Sequence, residues 1–109
     1  MKLLFDRCIP KAFADLFSKY DSTHASELGW GELTNGELVR RADAEGYRVL
    51  ITVDGNMQYQ TSLKGLQLGA LIVNVPNNRF ETLAACTRDI DAALPRVQPA
   101  EYYVLERNR

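Results

Sequence analysis

The sequence lacks several features that would assign it to a functional class at once. It contains two cysteines, Cys8 and Cys86, and one histidine, His24, which stand far apart in the chain. A zinc site is therefore not expected, and both thiols are expected to be reduced. No apolar run approaches the roughly 20 residues that cross a bilayer, and the first residues lack the apolar segment of a signal peptide. We expect a cytoplasmic protein with no membrane segment.

The chain also lacks an excess of charge of either sign. Lys and Arg together number 13, and Asp and Glu number 14. Binding of RNA would therefore need a local positive patch or a partner that supplies positive charge. No Gly-rich phosphate loop follows the first apolar run, where residues 7–10 read Arg-Cys-Ile-Pro. This absence disfavours a nucleotide-binding Rossmann protein.

What is present is an alternation of apolar runs and helical patterns over 109 residues, of which 46% are hydrophobic. This length suits one domain, residues 1–109. The apolar runs predict strands at residues 3–5, 23–28, 49–53, 69–75 and 101–105. Predicted helices begin near Pro10, with the buried stripe Phe13, Leu16, Phe17 and Tyr20, and at the capping box of residues 34–37. A single C-terminal helix is predicted from a capping pair formed by Asn78 and Glu81 to Pro95, which ends it. A short helix is predicted within residues 57–67.

The strongest predicted strand, residues 49–53, reads Val-Leu-Ile-Thr-Val, so its apolar residues do not alternate with polar ones. Continuous apolar runs are typical of parallel strands with both faces covered. We therefore expect an α/β fold, a Rossmann-like three-layer sandwich with a mostly parallel sheet of four or five strands. Right-handed crossovers are expected between the strands, and ligands of such sheets bind beyond the carboxyl ends of the strands.

Three acids fall where that edge is expected. Asp6 and Asp54 end two predicted strands, and Glu37 lies on the first turn of the second long helix. Carboxylates held together repel unless a cation neutralises them, and Mg²⁺ and Mn²⁺ prefer oxygen ligands. The three acids are therefore candidate catalytic residues and metal ligands. Such an ion would suit the hydrolysis of a phosphodiester.

Each acid also has a structural interpretation, which stays open at this point. Glu37 completes a capping box with Thr34. The pair Asp54-Gly55 is typical of a two-residue hairpin turn. Asp6 is placed to cap the following helix or to pair with Arg7.

Several short motifs, taken in order, resemble the small PIN-like family of uncharacterised bacterial proteins, whose relatives include toxins of toxin–antitoxin pairs. The motifs are Lys2-Leu3-Leu4-Phe5-Asp6 with Ile9-Pro10, Glu27-Leu28-Gly29-Trp30, Asn35-Gly36-Glu37-Leu38, Val49-Leu50-Ile51-Thr52-Val53-Asp54, Gly55-Asn56 and Tyr59-Gln60. The resemblance implies a PIN-like fold and a Mg²⁺- or Mn²⁺-dependent ribonuclease site at Asp6, Glu37 and Asp54. It also implies single-stranded RNA as substrate and a small antitoxin protein as partner. A homodimer stays open.

The chain departs from this pattern at two positions. Asn35 and Asn56 stand where many relatives have acids, and Asn offers a carbonyl oxygen without charge, so weak metal binding is expected. Thr52, Tyr59 and Gln60 are auxiliary candidates near the predicted site. The alternative function is a catalytically weak or inactive PIN-like module that binds a protein or RNA.

Overall fold

The computed structural model describes residues 1–106, which contain five parallel strands and five α-helices. The strands are β1 (Lys2–Phe5), β2 (Asp21–His24), β3 (Val49–Thr52), β4 (Gly69–Asn74) and β5 (Tyr102–Glu106). The helices are α1 (Lys11–Ala14), α2 (Asn35–Ala44), α3 (Met57–Gln60), α4 (Phe80–Ala84) and α5 (Thr87–Ala93). Three 3₁₀ segments cover Asp15–Phe17, Ala25–Leu28 and Leu94–Arg96.

The strand order is β2-β1-β3-β4-β5, and every neighbouring pair is parallel. Alternate residues of the strands enter two separate cores. Leu3, Val49 and Leu71 pack with α1, α4 and α5 on the first face. Leu4, Leu50 and Ala70 pack with α2 and α3 on the second face. The predicted α/β three-layer sandwich is confirmed, and burial of both faces explains why the apolar runs do not alternate.

The connections between strands do not all have the same hand. Those from β1 to β2 and from β4 to β5 both cross the first face, but they run in opposite directions along the sheet. They therefore have opposite hands, and the expectation of uniformly right-handed crossovers is wrong. With only α1 on the first face, apolar side chains such as Ile51 and Val73 would lack cover, and the α4–α5 pair supplies it.

The first two helical predictions had different outcomes. The capping box at Thr34 and Glu37 starts α2 as expected, and Leu38 and Val39 are buried. The stripe of the first helix is wrong at Leu16, which is 49% exposed. The α-helix ends after Ala14 and continues as a 3₁₀ turn, whose three-residue period changes which side chains face the core.

The other differences from the sequence predictions also lie in short helical segments. Strand β2 ends at His24, whose side chain caps the 3₁₀ segment where residues 25–28 were expected to continue the strand. The predicted capping pair of Asn78 and Glu81 is wrong, since Arg79 is the N-cap of α4 and no side chain caps it. The expected single C-terminal helix is divided into α4, α5 and a 3₁₀ turn that contains Pro95.

None of the helices in residues 1–106 has the length and apolar character of a membrane span.

Candidate functional site

The candidate site lies at the carboxyl edge of the sheet, between β1 and β3. The chain leaves β1 to one side to form β2 and then returns past β1 to form β3, so the winding direction changes between these two neighbours. Open parallel sheets bind ligands at such a point. Asp6 follows β1 directly, and its N–H donates to the carbonyl oxygen of Ile51 at 3.0 Å. The predicted adjacency of the two strand ends is therefore confirmed.

Asp6 is a buried carboxylate, only 6% exposed. Its Oδ1 accepts a hydrogen bond from the backbone N–H of Arg7 at 2.8 Å. Its Oδ2 accepts one from Thr52 Oγ1 at 2.7 Å and lies 3.5 Å from Cys8 Sγ. These donors are all uncharged, and none of the ion pairs found within residues 1–106 includes Asp6. A negative charge is thus held at the sheet edge without a cationic side chain beside it.

Thr52 links Asp6 to the end of β3. Its side chain is completely buried, and its hydroxyl donates to Asp6 while it accepts from the backbone N–H of Asp54 at 3.1 Å. A hydroxyl that is fixed as donor on one side and acceptor on the other holds both partners in place. Thr52 therefore contacts Asp6 and the backbone of Asp54, and its auxiliary role stays a prediction.

Asp54 lies in the loop that follows β3 and is partly exposed. Its Oδ1 accepts from the N–H of Asn56 at 3.1 Å, and no hydrogen bond to its Oδ2 is found within residues 1–106. The hairpin alternative is excluded because β3 and β4 are parallel. The pKa of Tyr102 is raised by burial and, to a smaller extent, by the charge of Asp54. The Asn56 N–H therefore holds one oxygen of the Asp54 carboxylate, while the other oxygen is free for a ligand.

Glu37 is exposed and occupied by its capping box. Its Oε1 accepts from the N–H of Thr34 at 2.9 Å, and its own N–H donates to Thr34 Oγ1 at 3.2 Å. The hydrogen bonds from Thr34, with a smaller effect of the Arg40 charge, lower the pKa of Glu37. Within residues 1–106, no three His, Cys, Asp or Glu side chains are grouped so that they could hold a metal ion. Asp6 and Asp54 thus share Thr52, whereas Glu37 does not join them.

Asn56 contacts the Asp54 carboxylate through its backbone N–H, whereas no hydrogen bond from Asn35, Tyr59 or Gln60 to the carboxylate of Asp6 or Asp54 is found within residues 1–106. Asn35 is partly buried in the first turn of α2, and Asn56 is exposed. Tyr59, 81% exposed, and Gln60 lie on α3. Both line an open groove of 630 Å³ that Lys64 also borders.

Cys8 is a residue of the site that the sequence did not indicate. Its Sγ lies within 3.5 Å of both Asp6 Oδ2 and Thr52 Oγ1. Burial, and next the charge of Asp6, raise the pKa of the Cys8 thiol. The available signal was only its position two residues after a strand-end acid. The Cys8 thiol is therefore placed to donate a weak hydrogen bond to Asp6 Oδ2.

His24 and Asn78 hold the loop that carries Cys8. His24 Nε2 donates to the carbonyl oxygen of Ile9 at 2.6 Å, while Nδ1 accepts from the N–H of Ser26. The side-chain amide of Asn78 donates to the carbonyl oxygen of Cys8 at 2.7 Å. The loop after β1 is therefore fixed from two sides.

Comparisons with family models, curated proteins and solved structures gave no match. The resemblance to the small PIN-like family therefore stays a prediction.

The contacts of Cys8 predict how its reactivity depends on Asp6. In Asp6→Asn, loss of the neighbouring charge should lower the Cys8 pKa, so alkylation by iodoacetamide at pH 8 should become several-fold faster. The rate should be measured by mass spectrometry of the Cys8 peptide, with the buried Cys86 as internal reference. If Cys8 in Asp6→Asn reacts no faster than in the wild type, the charge of Asp6 does not control the thiol.

Proposed function

We propose that the chain is a slow, Mg²⁺- or Mn²⁺-dependent ribonuclease of the PIN-like type, with Asp6 and Asp54 as its central acids. The observation that carries this proposal is the buried Asp6 carboxylate, which has only uncharged donors around it. A buried charge without a counter-charge is costly. A divalent cation at the sheet edge would supply that counter-charge.

The donor set fits a hard cation, although weakly. Asp6 and Asp54 offer carboxylate oxygens, the ligand type that Mg²⁺ and Mn²⁺ prefer. Glu37 would have to leave its capping box to contribute, and Asn56 offers an uncharged oxygen. Two acids instead of three or four favour weak binding, with Mn²⁺ bound more tightly than Mg²⁺. When bound, the cation would neutralise charge on the phosphodiester and lower the pKa of a water molecule.

The protein's own residues would position the substrate and the acids. Thr52 and the Arg7 N–H keep the Asp6 carboxylate in one orientation. The exposed ring of Tyr59, on the helix α3 that follows the Asp54 loop, offers a surface on which an unpaired base can stack. Lys64 lines the 630 Å³ groove together with Tyr59 and can contact a phosphate there. This combination favours single-stranded RNA over a duplex, whose bases are already stacked.

The second candidate function is an inactive or weakly active PIN-like module that binds RNA or a protein such as an antitoxin. The position of Glu37 favours it, because that carboxylate is occupied by the cap and the three acids do not form a group. In such a module, the groove lined by Tyr59 and Lys64 and the acids Asp6 and Asp54 at the strand ends would serve binding alone.

One experiment separates the two functions. Wild type should cleave a fluorescent single-stranded RNA slowly in millimolar Mn²⁺, and EDTA should abolish cleavage. Asp54→Asn, prepared identically, should be at least about 100-fold slower, because a group at the developing charge is lost. Mn²⁺ should also raise the melting temperature of the wild type by about 4 °C, and that of Asp54→Asn much less.

The matched control is Asp15→Asn, which removes an exposed acid whose contact is Lys11. It should cleave and bind Mn²⁺ like the wild type. Equal cleavage by wild type and Asp54→Asn would point to a contaminating nuclease. With no effect of Mn²⁺ on the melting temperature either, the binding module would replace the enzyme.

A further inference from the structure

Strand β5 is an open edge of the sheet. It pairs with β4 on one side and with no other strand of residues 1–106. Tyr102, Tyr103, Val104 and Leu105 are partly exposed along it. Exposed edges are usually protected by Pro, Lys or a bulge, and β5 contains no Pro or Lys and pairs with β4 without a break in register. The opposite edge, β2, is shorter and polar, with sequence Asp-Ser-Thr-His.

The hydrogen bonds to β4 determine which backbone groups of β5 are free. Ala70 N–H donates to the carbonyl oxygen of Glu101 at 3.0 Å, and Ala70 stands opposite Tyr102. In a parallel ladder with this register, residues 101, 103 and 105 direct their backbone groups to β4. The N–H and C=O groups of Tyr102, Val104 and Glu106 therefore point away from the sheet. These six groups form a symmetric set centred on Val104.

We propose that β5 pairs with β5 of a second copy of this chain, antiparallel and in register at Val104. In that register Val104 faces its own symmetry mate, and Tyr102 faces Glu106 in both directions. Each of these opposed pairs exchanges two hydrogen bonds, so all six free groups on each strand are satisfied. The two sheets then form one continuous ten-stranded sheet with a two-fold axis, and both copies use the same surface.

The side chains on the first face suit this register. A groove of 390 Å³ separates β5 from α5 and the following turn, and its lining includes Asp89, Arg96, Tyr103 and Leu105. In the proposed pair, Tyr103 of each copy lies opposite Leu105 of the other. These are non-hydrogen-bonded positions, where opposed side chains approach most closely. The contact would therefore cover apolar surface that the monomer leaves partly exposed.

The charges along the same groove are also self-complementary. Arg96 Nη1 lies 3.4 Å from the hydroxyl of Tyr103, near the start of β5. Asp89 lies two turns earlier on α5, which runs antiparallel to β5, and is therefore nearer Leu105. Because the two-fold axis places the start of one β5 beside the end of the other, Arg96 of each copy faces Asp89 of its mate. Opposite charges meet on both sides of the axis, which favours a second copy as occupant.

The size of the contact sets its strength. Five strand residues at about 3.3 Å each give a paired edge roughly 17 Å long. Such a contact falls in the class of small, reversible interfaces. We therefore expect a dissociation constant on the order of tens of micromolar, so that dimers form and separate with protein concentration.

Sedimentation velocity of the full chain, from about 5 µM to about 1 mM, tests this interface. The weight-average mass of the wild type should rise towards twice the monomer mass. Val104→Pro removes an N–H that points away from β4, and Pro is accepted at such positions of edge strands, so the fold should remain and the dimer should be lost. Val104→Thr keeps the N–H and the branched side chain, and it should dimerise like the wild type.

A charge exchange provides a test that does not alter the strand. Arg96→Asp and Asp89→Arg should each weaken association about 10-fold, and the double variant should recover most of it. A wild type that stays monomeric at the highest concentration would overturn the interface. So would a dimer that Val104→Pro leaves intact while its circular dichroism shows a folded protein.

Discussion

Gly69→Ala should lower the free energy of unfolding by about 3 kcal/mol. Gly69 is the first residue of β4, and the segment before β5 lies directly against its α-carbon. A Cβ there would lie 2.6 Å from Val97 Cγ1 and would also overlap the backbone carbonyl oxygen of Gln98. The strand cannot move away easily, because the Gly69 N–H donates to the Arg48 carbonyl oxygen at 3.0 Å.

Urea denaturation followed by circular dichroism measures this loss, and Gly31→Ala is the matched control. No atom lies within 4 Å of a Cβ built at Gly31, and its backbone is outside the left-handed region. The control should therefore change stability by less than about 1 kcal/mol. Equal stabilities of the two variants would show that residues 97–98 move aside at little cost.

Phe13→Ala should lower the free energy of unfolding by about 4 kcal/mol. The side chain is completely buried, and its ring lies 6.3 Å from the Phe5 ring and 5.2 Å from the Phe17 ring, both at steep angles. Its loss would leave a cavity between the end of β1 and the first helical segment, where three aromatic contacts, to Phe5, Phe17 and Phe80, are removed together.

Leu16→Ala is the control for Phe13→Ala in the same urea titration. Leu16 belongs to the stripe that the sequence predicts to be buried, but it is about half exposed. The expected loss is therefore below about 1 kcal/mol. Similar losses for both variants would mean that the helix continues regularly past Ala14 in solution and buries Leu16.

The strands and the second helix could be predicted because their sequence signals are local. Val49 to Ile51 form a continuous apolar run with β-branched residues, and the Thr34–Glu37 capping box fixes where α2 begins. Leu16 and Asn78 were misassigned because the 3₁₀ turn and the contact of Asn78 with the Cys8 carbonyl depend on tertiary packing. Short helices with weak signals are decided by such contacts.

The sequence also predicts part of the candidate site. The positions of Asp6 and Asp54 at neighbouring strand ends follow from the order of the strands. The orientation of the Asp6 side chain does not, because Asp6 turns to Thr52 through a contact that the sequence does not encode locally. Cys8 entered the site for the same reason. The capping box of Glu37 is a local signal, but the sequence alone left open whether Glu37 caps the helix or joins the acids.

The parallel arrangement of the sheet also determines how the molecule would resist a pulling force. The first residue of β1 lies at the amino edge of the sheet, and the last residue of β5 lies at the carboxyl edge, with β3 and β4 between these strands. A force applied between these two points pulls β1 and β5 in opposite directions along their axes. The hydrogen bonds of three strand pairs then carry the load in shear, all at once, instead of opening one after another.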